Sequence, residues 1–188
     1  MNFIKKIFVW VMMLTAAVAA VSCSSDDDGS DTFSASDREQ MYGRYVNLVT
    51  YGQNAGNTVV NVYVSDGQVS FNIPIIDILP SVLSADNGLD EALATVQCDE
   101  VKEAYTMVRY YNGTATFSLG TQTVKFSYTT DGKKNSGTVK ITTPSFSYST
   151  STHKLILGYT VDAVTLNGTA IESYKKREVY LHPTEKQQ

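Results

Sequence analysis

Between residues 102 and 181 the chain alternates apolar and polar side chains with a period of two and is cut at short intervals by turn dipeptides. Antiparallel strands joined by tight hairpins are the structure that buries such a pattern. Asn112-Gly113 separates residues 103–111 from 114–119, and Asn167-Gly168 separates 154–166 from 169–181. Asparagine or aspartate followed by glycine suits a two-residue turn, because both central residues of a type I′ turn need positive φ. Asp66-Gly67 carries the same signal earlier, between residues 58–65, with Val60, Val62 and Val64 on one face, and 68–74, with Val69, Phe71 and Ile73 aligned. Val124, Phe126 and Tyr128 share a face in 123–130, and Leu155, Leu157, Tyr159, Val161 and Ala163 share one in 154–166. Residues 131–137 read as a longer exposed loop, and Pro144 points to a strand edge or a bulge.

One internal segment breaks the alternation. Ile75, Ile76, Leu79, Val82 and Leu83 recur at three- and four-residue spacing, as do Leu89, Ala92, Leu93 and Val96. That spacing predicts two short helices within 75–97, parted at Asn87-Gly88, with Asp90 and Glu91 in a first turn where the helix dipole favours carboxylates. A serine and acidic residues at 36–40 predict one further helical turn before the first strand. The fold expected is therefore all-β with a small helical insertion, an antiparallel meander of about nine strands. A bent sheet, an up-and-down barrel with the helices as a lid, and a two-layer sandwich all fit the periodicity, and closure has the merit of removing strand edges.

The N-terminus reads as an address. Lys5 and Lys6 precede an apolar run of about 15 residues from Ile7 to Val21, short of the roughly 20 a membrane-spanning helix needs and of the length of a signal-peptide core. Ala20-Val21-Ser22-Cys23 looks like a bacterial lipobox, which makes residues 1–22 a lipoprotein signal peptide and Cys23 the site of lipidation. Residues 23–36, with Ser24-Ser25-Asp26-Asp27-Asp28, read as a flexible acidic tether, and 37–188 as one all-β domain. Loss of the leader removes two lysines, leaving 15 − 2 = 13 basic against 19 acidic residues, a net charge of −6 in place of −4. A nucleic-acid partner would need a basic stripe that this balance does not supply. With Cys23 lipidated, Cys98 is a lone thiol and no internal disulfide forms.

Three segments carry a resemblance: Cys23 to Asp28, Met41-Tyr42-Gly43-Arg44-Tyr45 at the first strand, and Phe71-Asn72-Ile73-Pro74 leading into short helices. In these the chain resembles small Bacteroidetes surface lipoproteins with a lipocalin-like or related all-β domain of unknown function. The resemblance implies a lipid anchor in the outer membrane, facing the cell surface with the periplasmic face as the alternative, and it supplies no catalytic residues.

The search for chemistry finds no catalytic constellation, metal site or cofactor motif. His153 and His182 have no second ligand at metal spacing, and Cys98 has no local nucleophile signature, so it reads as a small buried hydrophobe. Asp86, Asp90, Glu91, Asp99, Glu100 and Glu103 do not follow a calcium-loop order and read as a solvated face. Lys175-Lys176-Arg177 is the one basic run, either edge protection or a site for an anionic glycan or headgroup. Tyr105, Tyr110, Tyr111, Tyr148 and Tyr159 read as sheet packing, with sugar stacking as the alternative. The function expected is a non-enzymatic, lipid-anchored envelope binding domain, a carrier of a small apolar or glycan ligand. The alternative is a protein-interaction module accessory to an outer-membrane transporter or a surface fibre. Ligand-binding residues are not legible.

Overall fold

In chain order the elements are α1 (Ala35–Met41), β1 (Gly43–Tyr51), β2 (Asn54–Ser65), β3 (Gln68–Asn72), α2 (Ile75–Ile78), 3₁₀ turns at Leu79–Ser81 and Ala85–Asn87, α3 (Leu89–Thr95), β4 (Gln97–Cys98), β5 (Glu100–Ala104), β6 (Thr106–Tyr111), β7 (Thr114–Ser118), β8 (Gln122–Thr130), β9 (Lys133–Ser149), β10 (Leu155–Leu166), β11 (Thr169–Ala170) and β12 (Arg177–Gln187). They come from a computed structural model that describes residues 32–52 and 54–187. The expected signal peptide at 1–22, the expected lipidation site Cys23 and the acidic run after it lie outside the described residues.

All the strands belong to one antiparallel sheet, a nearly closed barrel whose main path runs β4-β8-β9-β10-β12-β1-β2-β3-β5. Closure uses the length of β9. Its first part pairs with β8 and its last part, Ser145 to Ser149, pairs with β7. Between these stretches Thr143 adopts φ 50°, and Leu119 N donates to Pro144 O at 2.9 Å. Pro144 thus occupies the break in the ladder that its missing N–H requires. β7 pairs with β6, which follows β5 after a bend at Tyr105, and β5 pairs with β3, so the ring returns to β2 and β1.

The expected alternation packs the interior. Val60, Val62, Val64, Val69, Phe71, Ile73, Val124, Phe126 and Tyr128 are all buried. Phe117 stacks on Phe146 at 4.6 Å between ring centroids, and Tyr105 meets both rings edge-on. Ile75, Ile78 and Leu79 bring the helical insertion into the same core. Glu91 accepts from Gly132 N, and Thr129 N donates to Thr95 Oγ1, so α3 is tied to the β8–β9 hairpin. At the other end Phe33 and α1 close the barrel, and the Tyr45 hydroxyl donates to Met41 O at 2.6 Å.

The main path carries nine strands, as expected, and among the described residues β6, β7 and β11 pair off it. Other expectations are corrected. The bend at Tyr105 splits the 103–111 segment, and the turn after β11 splits 169–181. Residues 131–137 are not a loop. Asp131 and Gly132 both take positive φ (52° and 68°) and β9 starts at Lys133. Ala163 is exposed while Val164 is buried, because a register shift between Val161 and Ala163 turns the strand over. In the Asp66-Gly67 turn only Gly67 takes positive φ. Tertiary partners hold that turn instead, since Tyr42 donates to Asp66 Oδ1 and Gly67 N donates to the Tyr105 hydroxyl. Phe33, which falls in the segment expected to be a flexible tether, is 5 % exposed in the core. The helix cap is Ser34, in a reciprocal capping box with Asp37, not Ser36.

Candidate functional site

Antiparallel register places three inward-facing positions in one row near the mouth that the helical insertion covers. Tyr159 on β10 pairs with Val179 on β12, and Val179 pairs with Tyr51 on β1. Arg177, two residues before Val179, lies on the same face nearer the rim. Above this row Pro74 turns the chain out of β3 and starts α2, which buries Ile75 and Ile78 and leaves Asp77 half-buried over the mouth. Asp77 Oδ2 accepts from the Tyr51 hydroxyl at 2.8 Å, and its Oδ1 accepts from Thr58 Oγ1 at 2.8 Å. Tyr51, Gly52, Asp77, Arg177 and Glu178 line an open cleft of about 520 Å³.

Beneath this cleft two hydroxyls are stranded. Tyr159 is 3 % exposed, its ring stacked on Phe71 at 5.7 Å, and its hydroxyl has no hydrogen-bond partner among the described residues. The hydroxyl of Tyr174, in the turn before β12, is likewise buried and unpartnered. Tyr51, Tyr174 and Asp77 all act electrostatically on Tyr159, so its polar end belongs to the same cluster. Burial raises the ionisation of Tyr159, Tyr174 and Tyr51 above the usual phenol range, and at Tyr51 the bond to Asp77 adds to it. These phenols therefore act as neutral donors and acceptors at ordinary pH. A buried hydroxyl left unpaired costs about 1–3 kcal/mol.

The residues singled out in the sequence are dispersed. Burial pushes the Cys98 thiol up to about 11, and its Sγ contacts Asp99 O at 3.3 Å. His153 Nδ1 bonds the Tyr148 hydroxyl at 3.0 Å in the β9–β10 turn, while His182 stands beside Tyr180 on β12. Among the described residues no three His, Cys, Asp or Glu side chains converge. The acidic residues disperse too: Glu91 caps the Gly132 amide, Glu100 takes Ser70 and Lys102, and Glu103 takes Gln122. The basic run divides, Lys176 pairing with Asp162 and Arg177 reaching the cleft. Tyr148 and Tyr159 are buried, Tyr105 bonds Ser65 O, Tyr110 packs on Phe33, and Tyr111 stays 61 % exposed.

Sequence reasoning missed Tyr51, Asp77 and Tyr174, whose grouping depends on strand register. It also missed Asn47, fully buried on β1 with Nδ2 donating to Tyr45 O at 2.8 Å and Oδ1 unpartnered. Set beside known proteins, the chain matches no family model, no curated protein and no solved structure. Its class is thus defined by geometry: a nearly closed antiparallel barrel with a filled interior and a polar cleft, lined by Tyr51, Asp77, Arg177 and Glu178, at one mouth.

Proposed function

We propose that this chain is a lipid-anchored cell-envelope binding domain, held in the outer membrane through Cys23 and facing the cell surface, whose cleft takes a hydroxyl-rich small ligand of glycan chemistry. The observation that carries the ligand class is the pair of buried hydroxyls on Tyr159 and Tyr174, without a partner among the described residues and acted on electrostatically by Asp77 and Arg177, respectively, of the cleft wall. A sugar hydroxyl both donates and accepts, so it can satisfy a phenol and a carboxylate in one contact. An apolar ligand would desolvate Asp77, Arg177 and Glu178 without replacing their water contacts. The barrel interior supports the same choice, because aromatic and aliphatic side chains occupy it.

Binding without chemistry fits the protonation of the groups present. Both Asp77 oxygens already accept from neutral hydroxyls, and the Cys98 thiol keeps its proton. Among the described residues no helix is long and apolar enough to cross a membrane, and the lipid on Cys23 is the attachment proposed. One acyl chain holds a protein only marginally and two hold it stably.

Glycan-array screening of the protein isolated from membranes tests the ligand class. Asp77→Asn and Arg177→Gln should each abolish or strongly weaken whatever saccharide is retained, and a signal unaffected by both would remove the cleft from the account. Cys23→Ser tests the anchor separately. That variant should leave the membrane fraction, and its persistence there would overturn the lipidation.

A further inference from the structure

The end of the barrel opposite the cleft has a surface of different character. β1 runs from α1 to the cleft, nine residues or roughly 30 Å at strand rise. At the α1 end the β6–β7 hairpin borders the point where the chain enters the fold. The Phe33 ring packs at 5.5 Å from Tyr110 of β6 and at 5.7 Å from Phe117 of β7. β6 pairs with β7 alone along its length, and Met107, Val108 and Tyr111 are 44 %, 55 % and 61 % exposed. Arg109 lies 4.6 Å above the Tyr111 ring. The stretch 104–130 contains no aspartate or glutamate. Neither does 149–155, which forms the neighbouring turn where Thr150 bonds Gly113 O and where His153 and Lys154 sit. Of the carboxylates on α1 and the β2–β3 turn, Asp37 is engaged by Ser34 and Asp66 by Tyr42, while Glu39 is exposed.

We propose that β6 rests on the lipid surface to which the chain is anchored, with Val108 and Tyr111 in the headgroup and upper acyl region and Arg109 at the phosphates, while Met107, opposite Phe117, faces the fold. The barrel then stands with its α1 end down and its cleft outward. This inference rests on lipidation at Cys23. The ten residue steps from Cys23 to Phe33 (33 − 23) span at most about 35 Å, so an anchored chain keeps β6 within reach of the bilayer. Two such side chains bind a membrane weakly from solution, but tethering makes the contact intramolecular and raises its effective concentration. Tyrosine and arginine side by side with an exposed valine suit the interface, where one end of each side chain is dry and the other wet. A bilayer fits better than an added protein strand. The register shift between Met107 and Arg109 interrupts the β6 ladder and pushes Val108 outward, a device that discourages edge-to-edge pairing.

Trp10 is the chain's one tryptophan and falls in the leader that processing removes, so in the processed protein a single introduced tryptophan reports its own depth. The full chain, processed in a lipoprotein-exporting bacterium and isolated from membranes, is reconstituted into phosphatidylethanolamine–phosphatidylglycerol vesicles with brominated acyl chains. Val108→Trp should lose most of its emission to the bromine, and Ile76→Trp, on α2 at the cleft end, should keep its own. Tyr111→Trp, at an exposed and nearly isosteric position, repeats the test should the first variant fold poorly. Flotation of the vesicles reads the anchor independently. Protein that floats with neither β6 reporter quenched overturns the docking and leaves the anchor standing. Protein that does not float overturns both. A β6 reporter shielded from aqueous iodide yet unquenched by bromine would mean that a protein covers the strand, which also overturns the proposal.

Discussion

Gly137 sits on β9 opposite Phe126 of β8, and the aromatic ring occupies the space where its side chain would be. A Cβ at Gly137 would lie 2.2 Å from the ring's Cζ and 2.6 Å from its Cε atoms. The backbone at this position does not call for positive φ, so Gly137→Ala acts by collision alone. It should destabilise the fold by about 1–3 kcal/mol, the ordinary cost of forcing extra volume into a packed site. Phe126→Leu frees that volume, so in a double-mutant cycle the two changes should cost less together than the sum of their separate costs. Denaturant unfolding of the four proteins checks this, and strict additivity would count against the contact. The opposite accounting applies at Tyr159, whose hydroxyl occupies a buried site without a partner. Tyr159→Phe keeps the ring on Phe71 and removes the unpaired group, so in the unliganded protein the melting temperature should stay level or rise. If the cleft binds a glycan, the same change should weaken that binding. A gain in stability joined to a loss of affinity separates a ligand contact from ordinary packing.

At the scale of elements, α1 is a short helix whose first turn is held by reciprocal bonds between Ser34 and Asp37. It keeps Phe33 and Met41 in place over the barrel end. Ser34→Ala removes one arm of the capping box and should cost about 1 kcal/mol. Limited proteolysis should then cut first near Phe33, before the barrel opens. Hydrophobic period alone located the strand pairs β2–β3 and β8–β9 and the helical insertion, because Val60, Val62 and Val64, or Val124, Phe126 and Tyr128, alternate without interruption. Periodicity fails wherever a bulge intervenes. Nothing in 161–164 announces the register shift that exposes Ala163 and buries Val164. Asp131-Gly132 falls inside what reads as a longer exposed loop, because the polar residues after it conceal the start of β9 at Lys133. The candidate site was the least legible feature. Tyr51 and Asp77 are 26 residues apart and meet only because Pro74 and Ile75 fold α2 back across the end of β1. Tyr159 and Tyr51 share a row only through the pairing of both strands with β12.

For the molecule as a whole, the distribution of buried acids predicts an asymmetric response to pH. Burial raises Tyr45, Tyr51, Tyr159 and Tyr174 above the usual phenol range and takes Cys98 up to about 11. Each of these groups holds its proton more tightly in the folded chain than in the unfolded one. The stabilisation it contributes is complete below its unfolded value, about 8.5 for cysteine and about 10 for tyrosine. It is lost as pH rises through the folded value. The acid side runs the other way. Asp162 is lowered by its bond to Lys176, and Glu100 by its bond to Ser70 and then by Lys102. Their contribution is present above about pH 4 and lost as pH falls, but both groups are largely solvent-facing, and screening keeps that contribution small. Burial also lowers His182, which costs stability as pH falls below the ordinary histidine value of about 6.5. Urea midpoints should therefore be flat from about pH 7 to 8, fall steeply above about pH 9, and fall more shallowly below about pH 6.5. Tyr159→Phe should reduce the alkaline slope, because it deletes one of the protons that the folded barrel retains. A slope unchanged by that substitution would mean that Tyr159 ionises alike in the folded and unfolded chains, which is incompatible with a hydroxyl shut beneath the cleft.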